Sequence, residues 1–500
     1  MRKISWREWR AALWNQKTPS RFILGLALLL LVARLGVSVF EYARLARAAL
    51  AFPFPLEYGE GPMLDQTLRL AHFENIYRNS FASPPYTVSN YPPLFQLIQV
   101  PLAWMIGPAF WYGRLISILS AVSAAGLISV ILYTLTSDRI ASAIGGLTLL
   151  AFPYLLQGSI LNRVDALALA LSLGGLYTTV RWPSHRQGQW VAGLLFTATA
   201  FTNPRYALAA PLTAFVWLLH LEHRRQAFRL AAIVTGSCLG LFLTLNLITQ
   251  GGYYLNTVLA NSTSFSWYTV TGYWLNLYLY AGFLVIGCLI FIGIERLGEA
   301  THSWPLVAPY CLGTGFMTLT AGMANASAND VFEVVAALCL AGGAFIAWAG
   351  ESYWLKALLV FVLAVQINLL IDWSHQDYLP AFKNKLADPH ELEQLAEYVQ
   401  KAEGPILADE YMGLIPLDGR RLYFQPFEYK QLQAANLWGE YPLVDSIKRE
   451  EFSVILLYEP PDWNAIGTRW TKEVRDTIYA HYRLEDTLAR TFVYRPKSSP

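Results

Sequence analysis

Charge is scarce in this chain. Only 14% of its 500 residues are Asp, Glu, Lys or Arg, while 55% are hydrophobic. A soluble domain usually carries about 25% charge, so this composition excludes an ordinary soluble protein and indicates one that crosses a membrane many times. The net charge is +2 and no basic cluster lies on a helix that could read a groove, which excludes nucleic acid as a partner. Cysteine is scarce too. Cys238, Cys288, Cys311 and Cys339 all lie inside apolar runs, without metal-ligand spacing and without a disulfide framework. They read as small buried residues.

The charge that is present is unevenly spread. Of 35 acidic residues, 19 fall between Ala381 and Pro500, where no apolar run is long enough to span a bilayer. The chain therefore divides into a membrane body, 1–375, and a soluble tail, 376–500. A span needs about 20 mostly apolar residues. Eleven runs qualify as candidates: 22–40, 114–135, 139–157, 166–181, 189–202, 206–221, 229–249, 274–294, 304–321, 331–349 and 353–371. The first is longer than a signal-peptide core and is expected to stay as a span. A further run, 92–107, is short and holds Gln96, Gln99 and Pro101. Basic residues favour the cytoplasmic side. The N-terminus and the loops around Arg139, Arg186 and Arg225 can share that side only if 92–107 does not cross. It is expected to lie in the outer interface, within a first outer loop of 41–112. The N-terminus is then cytoplasmic and the tail extracytoplasmic, in the plasma or inner membrane.

In the tail, "PHELEQLAEYVQKA" and "TKEVRDTIYAHY" read as helices. "GPILADE", "FSVILLYEP" and "RTFVYRP" read as strands, which together predict a small α/β domain. It contains no glycine-rich phosphate loop, nucleophile motif or metal cluster.

With that orientation, the residues suited to chemistry gather on the outer face. The first loop holds "PLEYGEGPMLDQ", with Glu57, Glu60 and Asp65. Glu60 stands between two glycines, which allow close approach of a ligand, and a surface carboxylate can serve as a general base. "NRVDALALALSLGGLY" places Arg163 and Asp165 at the head of a span. "FTNPRY" places Arg205 where another span emerges, as a fork for phosphate. "NASAND" brings Asn325, Asn329 and Asp330 before Glu333, which lies about one turn inside a span, where an ionisable group is costly. Each feature alone has a plain structural reading, as a helix-terminal acid or a headgroup contact. Their coincidence on one face points to transfer of a group from a lipid phosphate to an acceptor outside the membrane.

The order of these segments resembles the GT-C class of integral-membrane glycosyltransferases. That class includes the protein O-mannosyltransferases and the lipid A aminoarabinose transferases, and the chain looks most like bacterial members of the glycosyltransferase family 39 type. The resemblance is carried by a basic N-terminus and first span, "YGEGPMLDQTLRLAHFENIY", "YPPLFQLI", "GRLISILSAV" and "RVDALALALSLGGLY", over roughly residues 20–350. It implies a mainly α membrane fold of about eleven transmembrane helices with a flat outer-interface helix, followed by the small soluble α/β domain. It also implies that the catalytic acid of the first outer loop is Glu60, with Asp65 second, and that Asp165 is the acid of the second loop. Tyr91, before Pro92 and Pro93, corresponds to the start of the interface helix. Two departures stand out: Gly59 replaces the first member of an acidic pair common at Glu60, and Asn203 stands where close relatives carry Lys, with Arg205 two residues on.

The expected activity is an inverting sugar transfer from a polyprenyl-phosphate donor to a hydroxyl on a lipid, glycan or protein. Glu60, Asp65 and Asp165 are the catalytic candidates. Arg163, Arg205, Tyr91, Asn329 and Glu333 are candidates to bind donor phosphate or sugar. No cofactor is called for, although a divalent metal shared by Glu60, Asp65 and Asp165 stays open. Two rivals remain at this stage: a transporter or flippase of lipid-linked glycans, and a non-catalytic membrane assembly protein.

Overall fold

A computed structural model describes residues 17–262, 264–294, 301–323, 328–387, 389–459 and 469–498. The membrane body begins with α1 (Lys17–Ala51), α2 (Glu60–Ala71), α3 (Leu94–Ile106), α4 (Trp111–Thr136), α5 (Arg139–Leu149) and α6 (Pro153–Gly158). It continues through α7 (Asp165–Arg181), α8 (Arg186–Ala200), α9 (Ala209–His220), α10 (Arg224–Ile248) and α11 (Trp267–Gly293). It closes with α12 (Trp304–Met317), α13 (Phe332–Trp348) and α14 (Tyr353–Trp373).

Among the described residues, six helices are long and apolar enough to cross a membrane: Pro19–Ala51, Trp111–Thr136, Arg224–Ile248, Trp267–Gly293, Asn329–Trp348 and Tyr353–Gln376. The other five expected runs form helices shorter than a full span. The run 139–157, for instance, is interrupted before Pro153 and becomes α5 and α6, because proline cannot donate a helical bond. Among the described residues, six of the eleven expected runs thus form helices of full spanning length.

Burial sorts the helices by position. Nearly all of α13 is buried, which makes it the central post of the body. In α10 only Ala227 and Leu230 are buried, and Leu247 and Ile248 are more than 70% exposed, so this apolar helix runs along the periphery. On α1, one stripe through Ala27, Leu31, Leu35, Tyr42, Leu45 and Ala49 is buried, with the three-to-four spacing of a single helix face, and α1 packs along α14. α11 is kinked at Ala281 (φ −124°, ψ 22°). There the fully buried Gln366 of α14 accepts from Phe283 N at 2.9 Å and donates to Tyr280 O, replacing the helical bonds the kink breaks. α3 packs on α2, and Trp104 on it donates to Ala71 O at 2.7 Å.

The tail holds α15 (Leu379–Ala387), α16 (Pro389–Gln400), β1 (Ile406–Ala408), α17 (Pro426–Ala434), α18 (Tyr441–Lys448), β2 (Val454–Tyr458), α19 (Lys472–His481), β3 (Tyr482–Leu488) and β4 (Thr491–Pro496). The sheet order is β1-β2-β4-β3, with β1 parallel to β2 and the other pairs antiparallel. The expected strands correspond to β1, β2 and β4. β3 was not expected. It is an edge strand whose sequence, YRLEDTL, is mostly exposed, so it lacks the apolar run that marks a buried strand. It turns into β4 through Ala489 and Arg490, both at positive φ (48° and 57°), as a two-residue hairpin requires.

The tail does not stand apart from the body. Tyr86 of the first loop pairs with Phe424: Tyr86 N donates to Tyr423 O at 2.6 Å, and Gln425 N donates to Tyr86 O at 3.0 Å. Phe81, Tyr86 and Val88 complete a core with Phe424, Tyr429, Trp438 and Trp470. Closer to the body, Gly61 and Gly413 meet backbone to backbone. A Cβ on Gly61 would lie 2.8 Å from Gly413 N, and one on Gly413 would lie 2.8 Å from Pro55 Cβ.

Candidate active site

The seam between body and tail encloses a cavity of about 770 Å³. The body contributes Glu57, Tyr91, Arg163 and Arg205 to its wall, and the tail contributes Lys385, Glu410, Glu428 and Arg469. Three carboxylates and four cations thus face one space. Its volume suits a ligand the size of a sugar phosphate with part of its acceptor.

Glu60 is not on this wall. It begins α2 and is completely buried. Arg114 Nε and Nη2 fork onto its two oxygens at 2.8 and 2.7 Å, and Asn162 N and Leu56 N donate to the same two oxygens at 2.8 Å each. The remaining donors of Arg114 go to Ala49 O, Phe52 O and Phe54 O. All five guanidinium donors are used, and each carboxylate oxygen accepts twice. This knot ties the end of α1 to α2, α4 and the loop before α7. It leaves Glu60 no direction in which to meet a substrate, contrary to the expectation for the first-loop acid.

The first-loop acid on the wall is Glu57. Its side chain is 37% exposed, and Arg163 Nη1 donates to it at 3.0 Å. Burial beneath the tail raises its pKa, as do Glu60 and Glu410, against the pull of Arg163. Gly59 permits the pairing, since a Cβ there would lie 2.1 Å from Arg163 Nη1. The two glycines of "YGEGP" therefore make room for an arginine and for the tail.

Asp65 is also off the wall. It accepts from Leu422 N at 3.0 Å and lies 3.9 Å from Arg69, so it fastens the tail to α2. Burial raises its pKa to about 6. Asp165 heads α7 and is buried. Asn203 Nδ2 and Asn329 Nδ2 each donate to it at 2.9 Å, and Arg163 Nε lies 3.8 Å away. It thereby draws together the loop bearing Arg163, the turn bearing Arg205 and the segment before α13. In that turn, Arg205 Nη1 meets Asp330 at 2.5 Å, and Tyr206 donates to Asn329 O at 2.7 Å. Glu333 lies deeper, where Ser172 donates to it at 3.1 Å and joins α7 to α13. Of the eight expected residues, Arg163, Arg205 and Tyr91 line the cavity. Glu60, Asp65, Asp165, Asn329 and Glu333 do not. Asn325 lies outside the described residues. Glu60, Asp65 and Asp165 do not converge, and among the described residues no three His, Cys, Asp or Glu side chains form a metal-sized group.

The tail's share of the wall was missing from the sequence-based expectation. Glu410 follows the carboxyl end of β1, the place where open α/β sheets bind ligands. It is held between Lys385 and Arg469 Nη2, the latter at 2.7 Å. Burial pushes Glu410 up, but the two cations outweigh it and hold its pKa below the ordinary value. Asp409 sets this geometry by accepting from Tyr458 N at 3.0 Å and Trp470 Nε1 at 2.7 Å. Tyr58 links the two walls. It donates to Glu428 at 2.6 Å, and the guanidinium of Arg469 lies 4.9 Å from its ring centre. The acids directly after the apolar run in "ILADE" were the available signal.

No protein-family model matches the chain, and no curated protein matches it in sequence. Solved structures do match in fold. ArnT from Cupriavidus metallidurans, bound to undecaprenyl phosphate, aligns with a TM-score of 0.60 at 12% identity over 94% of this chain and 99% of its own. The oligosaccharyltransferase of Archaeoglobus fulgidus in its apo form aligns with a TM-score of 0.54 at 12% identity, over 97% of this chain and 75% of its own. The oligosaccharyltransferase AglB from Archaeoglobus fulgidus, in complex with an inhibitory peptide and a dolichol-phosphate, aligns with a TM-score of 0.51 at 12% identity over 97% of this chain and 75% of its own. The fold is that of the GT-C glycosyltransferases.

Proposed function

We propose that this protein is a glycosyltransferase that moves a sugar from a polyprenyl-phosphate carrier to a hydroxyl acceptor at the outer face of the membrane. The observation that carries the reading is the seam cavity, in which two arginines and a carboxylate of raised pKa face one space. The fold adds support, since its structural neighbours were solved with undecaprenyl phosphate and with a dolichol-phosphate.

Arg205 and Arg163, with the Tyr91 hydroxyl, hold the donor phosphate and offset the charge that grows on it as the sugar leaves. Glu57 is the base. A carboxylate whose pKa is raised above its ordinary value is a stronger base and suited to take a hydroxyl proton. The acceptor O–H gives its proton to Glu57, and its oxygen forms the bond to the anomeric carbon. The bond from that carbon to the phosphate oxygen breaks, and its electron pair leaves with polyprenyl phosphate. Attack opposite the leaving group inverts the anomeric centre. Asp165 and Asn329 position the loops that bear the arginines, Glu60 and Arg114 anchor the loop that bears Glu57, and Asp65 seats the tail. Glu333 braces α13 against α7. The N-terminus is cytoplasmic and the tail extracytoplasmic.

The test uses full-length purified protein with a panel of radiolabelled polyprenyl-phosphate sugars and a host lipid extract, following release of polyprenyl phosphate. The parent is expected to release it, and Glu57→Gln to lower the rate by about 10²–10⁴-fold, the usual share of a general base. Undiminished release by Glu57→Gln would take the base role away from it. Failure of folded parent protein to release any carrier would overturn the transferase reading.

A further inference from the structure

The two walls of the cavity differ in how their polar groups are paired. On the body side, Arg163 meets Glu57, and Arg205 meets an aspartate that does not line the cavity. That side presents more positive than negative charge to the space. On the tail side, Lys385 and Arg469 face Glu410 and Glu428, two charges of each sign, so this wall is neutral as a whole. It also carries the ring of Phe427, against which Tyr58 of the first loop packs edge to face with centres 6.5 Å apart, both rings partly accessible. One strong donor on it is unspent. Arg469 Nη2 is bound to Glu410, but Nη1 is buried and has no hydrogen-bond partner among the described residues.

From this wall we infer that the tail forms the acceptor subsite and that it takes a neutral, polyhydroxylated acceptor, a glycan. The inference rests on the transferase reading for the word acceptor, and it adds the acceptor's chemical class. A carboxylate accepts from hydroxyl groups and an arginine donates to hydroxyl or ring oxygens, so Glu428 and Arg469, which both line the cavity, can share one sugar. An aromatic ring offers its face to the C–H side of a pyranose, which buries apolar surface without a charge requirement. An anionic acceptor would meet Glu410 and Glu428 without a surplus cation on this side. An extended peptide would look for unpaired backbone groups, whereas the features gathered here are side chains and rings. The donor phosphate, by contrast, belongs on the body wall, where the positive surplus is. The two substrates would thus be sorted by charge across the width of the cavity.

The experiment is saturation-transfer NMR on the full chain in nanodiscs. The probes are the methyl pyranosides of glucose, galactose and mannose, methyl glucuronide as the anionic counterpart, and a short serine-containing peptide. At least one neutral pyranoside is expected to receive saturation on its ring protons. Phe427→Ala and Glu428→Gln should each weaken its binding by about tenfold, the loss expected for one stacking or hydrogen-bond contact. Phe427→Tyr should retain it, and so should Arg205→Gln on the opposite wall. Retained binding of polyprenyl phosphate by the Phe427 and Glu428 variants shows that they are folded. Binding of the glucuronide as strong as that of the neutral sugars, binding of the peptide alone, or neutral-sugar binding indifferent to Phe427→Ala would each overturn the inference. Because these readouts need no donor cleavage, their failure is distinct from failure of the transferase reading, which is judged by release of polyprenyl phosphate.

Discussion

The knot around Glu60 and the cavity around Glu57 are made of the same residue types, with the two glutamates only three positions apart. In the knot, a carboxylate and a guanidinium use every lone pair and every donor, and both side chains are fully buried. In the cavity, Glu57 is held by one arginine and keeps about a third of its surface toward open space. A polar network that is complete makes a fold rigid, while one that is left partly open can meet a ligand. The contrast teaches that an acid's place in a motif says less about its task than the number of partners it already has.

Four changes separate the two regions, beginning with the largest expected effect. Glu57→Gln should lower sugar transfer by about 10²–10⁴-fold while its thermal unfolding stays close to the parent's. A large fall in melting temperature with modest loss of turnover would place Glu57 among the structural acids. Arg114→Met should do the reverse. Removing one partner of a buried ion pair costs about 3–5 kcal/mol, which thermal unfolding in detergent would register as a marked drop. An unchanged melting temperature would mean that Glu60 does not need its arginine. Gly61→Ala drives a Cβ against the Gly413 backbone, and overpacking of this kind costs about 1–3 kcal/mol. Limited proteolysis should then cut between body and tail more readily, and unchanged resistance would show that the seam can yield.

The smallest effect is pH dependence of the seam. Asp65 is raised to about 6 by burial, and Asp409 to about 6 for the same reason. A carboxylate whose folded pKa lies above its unfolded value binds its proton more tightly when folded. Its contribution is therefore largest below the unfolded value near 4 and is lost as pH rises through 6. Glu410, held below its ordinary value by Lys385 and Arg469, acts in the opposite sense, but only at lower pH. Between pH 7 and pH 5 Asp65 should add about 1 kcal/mol to the seam, seen as a rise in the protection factor of the Leu422 amide, that is, its exchange slowed relative to an unstructured peptide at the same pH. Asp65→Asn should flatten much of that gain. A protection factor that falls with the pH would contradict the assignment.

Much of the architecture was legible in the residues. Long apolar runs must become helices in a bilayer, because every backbone group needs a partner there. The tail's β1, β2 and β4 were visible as short apolar runs between breakers; Arg163 and Arg205 stood out from their places at helix ends, and Tyr91 from the family resemblance. What stayed hidden depended on partners distant in sequence. Glu57 and Glu60 are alike as letters. Arg114, 54 residues beyond Glu60, decides which of them is locked. Asp65 resembles a helix-terminal acid until Leu422, 357 residues away, donates to it.

The sequence by itself therefore determined that the body is apolar and helical and that the acidic residues concentrate in the tail. These follow from composition and periodicity, which are local and additive. Only the tertiary structure decided that the tail supplies four of the seven charged side chains that line the cavity and that Gly59 and Gly61 admit an arginine and a neighbouring backbone. Those outcomes are set by which donors reach which acceptors once the chain has closed on itself, and pairing of that kind has no period to read.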